Sequence, residues 1–291
     1  MARILIAGCG YVGEAAANLF QARQWEVEGW THSAESAARL VDRPYAVRAV
    51  DIGDPAAVSV VSGEFDVVLQ SVSSHGGDVA DYRRIYLEGA RNLARRFPSA
   101  TFVFTSSTSV YPQKDGATVD ETSAAEPAHE KGRILRETEN LVLSAGGIVV
   151  RLAGIHGPSR SFFLSKFLEG MAAVDPDDRR LINQIHRDDI VSALVLLAER
   201  RGDCAGEIYN VAGDEPITAN EAYEWLRARL EKQAGSFPST TWERGLRAVR
   251  SRRGESNKRV SNKKLRALGW EPVYPIFQIA MARSILPSFG F

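Results

Sequence analysis

Cysteine is scarce in this chain: Cys9 and Cys204 are the only two among 291 residues, and their spacing matches neither a metal site nor a disulfide framework. A stapled secreted scaffold is thereby excluded, and a reducing compartment is expected. Long apolar runs are missing too, since no stretch approaches the roughly 20 residues that cross a bilayer. Met1 leads straight into RILIA without the charged and long apolar regions of a secretory signal. The expected location is cytoplasmic, with no membrane partner. Net charge is also lacking, because 36 lysines and arginines balance 36 acids. Attraction to nucleic acid can then come only from a local cluster. No repeat and no low-complexity tract is present.

The chain has 44% hydrophobic residues, enough for one large α/β core, or one core plus a small lobe. Short β-branched runs at Ile4–Ala7, Glu26–Trp30, Ala46–Val50, Val67–Gln70, Phe102–Thr105, Ile148–Leu152 and Ile208–Val211 alternate with amphipathic stretches. Among those stretches, 14–21, 82–96 and 133–143 carry apolar residues at three- and four-residue spacing and read as crossover helices. The pattern predicts a doubly wound parallel sheet with helices on both faces.

Three glycines, Gly8, Gly10 and Gly13, lie between the first strand and the first helix. Gly8 permits the tight turn, Gly10 lets backbone approach a pyrophosphate, and Gly13 lets the helix pack close to the sheet. Tyr11 and Val12 lie within this turn, and the helix expected to begin at Glu14 offers its free N–H groups to phosphate. At this place Cys9 reads as a small turn residue, not a nucleophile. At the end of the second strand a carboxylate commonly meets the ribose of NAD, but the slot here reads Thr31, His32, Ser33. With donors and no carboxylate to repel a 2′-phosphate, NADP is expected over NAD. Asp51, followed by Ile52, ends the third strand on the adenine side, with helix capping as its structural alternative.

Residues 1–155 therefore read as a Rossmann-like dinucleotide-binding domain. After Gly154 the pattern loosens, and 156–291 reads as a smaller substrate-side lobe. Residues 187–212 are expected to return to the main sheet, which makes the lobe discontinuous. His186, Asp188 and Asp189 in IHRDDI have metal-ligating chemistry, but no matching cluster lies nearby in sequence, so they read as an acidic helix start and no metal is expected.

The glycine turn, VDIGD, TFVFTSSTSVYP, VVRLAGIHGPSR, IHRDDIVSALVLLAE, YNVAGDEP and LRALGWEP occur in the order and spacing of a known family. On these motifs the chain resembles the extended, or NAD-dependent epimerase/dehydratase, branch of the short-chain dehydrogenase/reductase superfamily. The resemblance covers almost the whole length. It implies a Rossmann-like sheet, a nicotinamide cofactor and a small lobe for substrates, often nucleotide sugars. Ser107, four residues before Tyr111, matches the serine or threonine that hydrogen-bonds a substrate oxygen, beside Ser106. Cofactor contacts are implied for Ser71, Val72 and Ser73 after the fourth strand, and for Ala153 and Ile155.

The family's tyrosine and lysine, four residues apart, are missing. With Glu139 taken as the helix glutamate that follows them, their positions fall on Lys131 and Leu135. A one-turn offset offers His129 and Arg133. Proton transfer needs a group that titrates near the working pH, which His129 does unshifted and Lys131 does when desolvated. Both remain open as solvated loop residues. Two smaller departures are Ala7 at the first glycine position and Tyr86 where an asparagine is common. His75 is a further candidate acid or base, or a turn residue before two glycines.

The strongest charge bias lies between Arg244 and Arg266, where ten lysines and arginines face one acid, Glu255. An edge for an anionic substrate, a nucleic-acid patch and a solvated loop all fit. No aromatic platform accompanies it beyond Trp242, which disfavours nucleic acid. The function expected is NADP(H)-dependent reductase, dehydratase or epimerase chemistry on a small anionic molecule by a monomer or homodimer. The alternative is a non-catalytic dinucleotide-binding sensor or scaffold.

Overall fold

The computed structural model describes residues 1–74, 76–172, 175, 177–234 and 256–291. All seven β-branched runs form strands of one parallel sheet. They are β1 (Arg3–Ala7), β2 (Glu26–Thr31), β3 (Ala46–Ala49), β4 (Val67–Gln70), β5 (Thr101–Ser107), β7 (Ile148–Leu152) and β10 (Ile208–Val211), in the order β3-β2-β1-β4-β5-β7-β10. Two short ladders stand outside it: β6 (Thr118–Val119) with β11 (Arg259–Val260), and β8 (Gly154–His156) with β9 (Gln184–His186). Strands β4 and β7 are buried at every residue, as expected where helices cover both faces.

The helices before the C-terminal segment are, in chain order, α1 (Tyr11–Ala22), α2 (Ala34–Ala38), α3 (Pro55–Ser59), α4 (Val79–Tyr82), α5 (Gly89–Arg96), α6 (Glu130–Ser144), α7 (Phe162–Leu168), α8 (Arg187–Glu199), α9 (Arg201–Cys204) and α10 (Ala219–Ala234), and short helices at Lys263–Ala267, Phe277–Ala280 and Leu286–Ser288 follow. The first begins at Tyr11, three residues before the apolar periodicity predicts, because the glycine turn feeds directly into it. The stretch 82–96, predicted as one helix, is interrupted by a π-helical segment at Arg83–Glu88. Its cause is the buried Gln70 amide, whose Nε2 donates to the carbonyls of Ile85 and Tyr86 at 3.0 and 3.1 Å. A side chain inserted among helix carbonyls widens the turn locally.

Register sets where the site falls. Ala7 pairs with Trp30 on one side and Gln70 on the other. The loops after β1, β2 and β4 thus leave the sheet at one level. The chain winds in opposite directions from β1 and β4, and the crevice between such strands is where open α/β sheets bind ligands.

A second apolar core is built from Phe163, Leu164 and Phe167 of α7, Tyr223 and Leu226 of α10, and Phe277, Met281 and Ile285 near the C-terminus. Val260, Leu265 and Trp270 join the main core instead. Where β8 pairs with β9, His156 and His186 lie opposite each other, both buried, with rings 5.9 Å apart. His156 stacks on Phe277 and His186 lies against Tyr274. Burial drives both imidazoles toward the neutral form, His156 down to about 3 and His186 down to about 4. Among the described residues no helix is long and apolar enough to cross a membrane.

Candidate functional site

A cavity of about 1170 Å³ opens at the C-terminal edge of the sheet, between the ends of β1 and β4. Gly8, Gly10, Tyr11 and Val12 form one wall. Gly8 has φ of 100° and sits so near Ser71 that a Cβ would lie 2.5 Å from its carbonyl oxygen. Behind the wall, a Cβ on Gly13 would land on the carbonyl oxygen of Gly8, so only glycine lets α1 come this close to the turn. A Cβ on Gly10 would meet nothing within 4 Å. Gly10 is also the N-cap of α1 and offers no side chain to its N–H groups. An uncapped helix start facing open space fits a pyrophosphate, through its free N–H donors and the helix dipole. The Cys9 thiol is pushed up to about 11, mainly by burial, and is unreactive.

Thr31, His32, Asp51 and Ile52 line the end of the cavity beside β2 and β3. Buried Thr31 donates to the carbonyl of Ser33 at 3.1 Å. Ser33 is not in the wall: its hydroxyl caps α2 by accepting the Ser36 N–H. His32 is largely exposed, with Nδ1 3.7 Å from Asp51. Asp51 accepts the Gly53 N–H at 2.9 Å and pairs with Arg84 at 2.7 Å. Ser36, Arg39 and Arg43 also reach this end. Sequence reading missed these three, although their place just beyond β2 was the available signal.

Opposite the glycine turn the wall consists of Ser71, Val72 and Ser73, then Ser106 and Ser107 at the end of β5, then Leu152, Ala153 and Ile155. Half-buried Ser107 accepts the Ser109 N–H at 3.1 Å and caps a short turn, which leaves its own proton free to donate. Tyr86 joins this wall, its ring 4.5 Å from that of Tyr82, and its phenol is hydrogen-bonded to Tyr82 and Ser74. Burial, first of all, keeps that phenol protonated.

The start of α6 lies outside the described lining. His129 is exposed and caps the helix, its Nδ1 accepting the Gly132 N–H at 2.9 Å. Lys131 donates to the Gly77 carbonyl and places its ammonium 5.3 Å over the Tyr82 ring. It thereby ties α6 to the loop that supplies Ser73, Ser74 and Gly76 to the cavity. Leu135 is buried in the core. In place of a tyrosine and lysine, the region behind Ser106 holds a buried ionic network. Glu139 accepts from Ser106 at 2.5 Å, from Arg151 at 3.0 and 2.7 Å, and from Arg136. Arg151 continues to the Tyr111 hydroxyl at 2.9 Å, which donates to Asn210 at 2.9 Å. Glu139 was recognised in sequence, whereas Arg151 and Tyr111 hide in a strand and a turn without periodicity to mark them.

His75 and most of the basic stretch, 244–255 with Trp242 before it, lie outside the described residues. Within the remainder, Lys264 pairs with Glu207 at 2.6 Å and Arg266 with Asp214 at 2.5 Å. Lys258 is buried, donates to the Tyr111 carbonyl at 2.9 Å, and is brought down to about 8 by burial. These three cations tie the chain together. His186 caps α8 by accepting the Asp188 N–H, and Asp189 accepts the N–H groups of Val273 and Tyr274.

The family described as NAD dependent epimerase/dehydratase matches residues 4–212. Protein YeeZ of Escherichia coli is 30% identical over 253 residues, 81% of this chain and 87% of that protein. The fold is similar to that of Thermus thermophilus UDP-glucose 4-epimerase in complex with NAD, with a TM-score of 0.78 and 20% identity over 99% of both chains. It is also similar to dTDP-glucose 4,6-dehydratase of Bacillus anthracis in complex with NAD, with a TM-score of 0.79 and 16% identity over 98% of this chain and 96% of that one. At these identities the structural likeness concerns the fold.

Proposed function

We propose that this chain, which belongs to the NAD-dependent epimerase/dehydratase family, binds NADP(H) in the main cavity and performs redox or epimerisation chemistry on a small anionic molecule. The family's cofactor is a nicotinamide dinucleotide. When bound, it supplies or accepts a hydride at its nicotinamide ring. The observation that carries the reading is the uncapped start of α1, which opens on a cavity long enough to end at Ser107.

In this reading Gly8, Gly10, Tyr11 and Val12 hold the pyrophosphate while Gly13 behind them lets α1 approach the turn, and Thr31 and His32 face the 2′-position while Ser33 caps α2 beside them. The guanidinium groups of Arg39 and Arg43 at that end favour a phosphate there. Asp51 and Ile52 bound the adenine. Ser71, Val72, Ser73, Ser106, Ala153 and Ile155 enclose the nicotinamide. Ser107 orients the reacting oxygen. A proton relay by Lys131 would require its ammonium to leave the Gly77 carbonyl and the Tyr82 ring face, since neither contact conducts a proton to Ser107. His129 keeps the role of helix cap. The lobe formed within 156–291, with 187–212 returned to the main sheet, would close over the substrate, in a monomer or homodimer.

Side-by-side fluorescence titrations with NADPH and NADH test the assignment. Wild type is expected to prefer NADPH, and Thr31→Asp to shift the ratio toward NADH by roughly tenfold through repulsion of the 2′-phosphate. An unchanged ratio rejects the NADP assignment. Absence of binding by either cofactor rejects the site itself.

A further inference from the structure

Four arginines line the cavity, and one differs from the rest: Arg39, Arg43, Arg84 and Arg160. Arg84 pairs with Asp51 at 2.7 Å, Arg43 pairs with Glu14, and Arg39 stands 4.0 Å from Glu35. Arg160 has no carboxylate partner among the described residues, and its guanidinium lies 5.1 Å over the ring of Tyr11. It is exposed, so it keeps its charge in reach of solvent and of whatever enters the cavity.

The backbone that carries Arg160 is held on both sides. Gly157 and Arg160 close a tight turn by exchanging hydrogen bonds of 2.9 and 3.0 Å across Pro158 and Ser159. The Tyr11 hydroxyl donates to the Pro158 carbonyl at 3.0 Å, which ties the turn to the glycine loop. The Ser159 N–H donates to Ser288 at 2.8 Å, which ties it to the C-terminal segment beside the second core. A Cβ on Gly157 would lie 2.6 Å from the Tyr11 hydroxyl and 3.1 Å from the Arg187 Cβ, so glycine is what allows this approach. Arg187 also stands 5.1 Å from the Tyr11 ring, but its charge is engaged by Asp188 at 2.8 Å. The uncompensated cation is Arg160.

A guanidinium stacked on an aromatic face loses less side-chain freedom when it binds, and its fork of donors matches a phosphoryl group. Tyr11 is the first residue of α1, so the stacked guanidinium and the uncapped N–H groups share one end of the cavity. The geometry points to an anion-binding arm: Arg160, mounted on the Gly157–Arg160 turn and braced by Tyr11, receives a phosphoryl group at the cavity mouth. This rests on the reading of the cavity as a dinucleotide site. The phosphoryl group has two sources, the cofactor's own pyrophosphate or a separate phosphorylated molecule bound beside it.

Arg160→Met retains a long apolar stem on Tyr11 and removes the charge. Arg83→Met, a half-exposed arginine paired with Glu137 outside the cavity, is the control. Two titrations are made on each protein: NADPH by fluorescence, and inorganic pyrophosphate by calorimetry, without and with saturating NADPH. Arg160→Met is expected to weaken at least one of them by about tenfold, with a shallower salt dependence, and the control to leave both unchanged. A loss confined to NADPH and to pyrophosphate on the free protein assigns the arm to the cofactor. A loss of pyrophosphate binding that persists on the NADPH-saturated protein assigns it to a separate ligand. If wild type binds no NADPH yet binds pyrophosphate through Arg160, the dinucleotide reading falls and the arm stands. Equal affinities in wild type and Arg160→Met overturn the arm, as does a wild type that binds pyrophosphate in neither state while NADPH affinity is unaffected.

Discussion

The two walls of the cavity are built from different materials. The glycine-turn wall is backbone: an uncapped helix start, a left-handed glycine and close approaches that a single Cβ would block. The opposite wall is side chain: Ser106, Ser107 and Tyr86, supported from behind by the buried Glu139 and Arg151. Backbone sites depend on the absence of side chains and therefore persist while their glycines do. Side-chain sites can be rebuilt one residue at a time. This asymmetry fits a family member whose glycine-turn wall follows the expected pattern while Lys131 and Leu135 stand where the resemblance implies a tyrosine and lysine.

The comparison is tested most severely at Arg151. Arg151→Met leaves the buried Glu139 with Arg136 and Ser106 alone and removes the donor to Tyr111, so it is expected to lower stability by about 3 kcal/mol, the low end for breaking a buried ion pair. Urea midpoints measure it, and pairing the change with Glu139→Leu should recover much of the loss. A single variant as stable as wild type would mean that the network does not hold the side-chain wall in place.

The next effect is a pH dependence outside either wall. The folded pKa values of His156 and His186, about 3 and about 4, lie below their ordinary 6.5, so the unfolded chain takes up these protons first. Stability from both is present above about pH 6.5 and is lost as pH falls. Asp189, raised to about 6 by burial, acts in the opposite sense, since the folded chain is the one that binds its proton between the ordinary 3.8 and 6. Across these three groups the net is one proton, or about 1.4 kcal/mol lost per pH unit between pH 6 and pH 4, and Glu121, raised by burial, opposes it in the same sense as Asp189. His156→Phe, which keeps a ring beside Phe277 and removes an Nδ1 that has no partner, should flatten the urea midpoint across this range. An unchanged slope would assign the acid sensitivity elsewhere.

The smallest effect sharpens the contrast at α6. His129→Ala removes a cap and is expected to cost about 1 kcal/mol of stability with NADPH affinity unchanged. A loss of cofactor binding instead would bring His129 back into the site.

Much of this was legible in the chain. Seven strands and their parallel arrangement followed from β-branched runs separated by amphipathic stretches, because a doubly covered sheet needs strands that are apolar on both faces. The glycine turn was legible for a similar reason: its chemistry is the absence of side chains, and sequence records absence directly. Less was legible where partners come from distant segments. Nothing near Gln70 announces that its amide widens a helix turn 15 residues later, and nothing near Arg151 announces Glu139 and Tyr111 as its neighbours.

By itself the sequence determined the layered α/β architecture and the position of the glycine turn between β1 and α1, since each is a property of residue type and spacing along the chain. Only the tertiary structure decided that Lys131 turns to the Gly77 carbonyl, that Glu139 and Arg151 pair behind Ser106, and that Arg160 lines the cavity without a carboxylate partner among the described residues. Charge pairing depends on distances in space, and those are set by how the strands and helices pack, not by their separation in sequence.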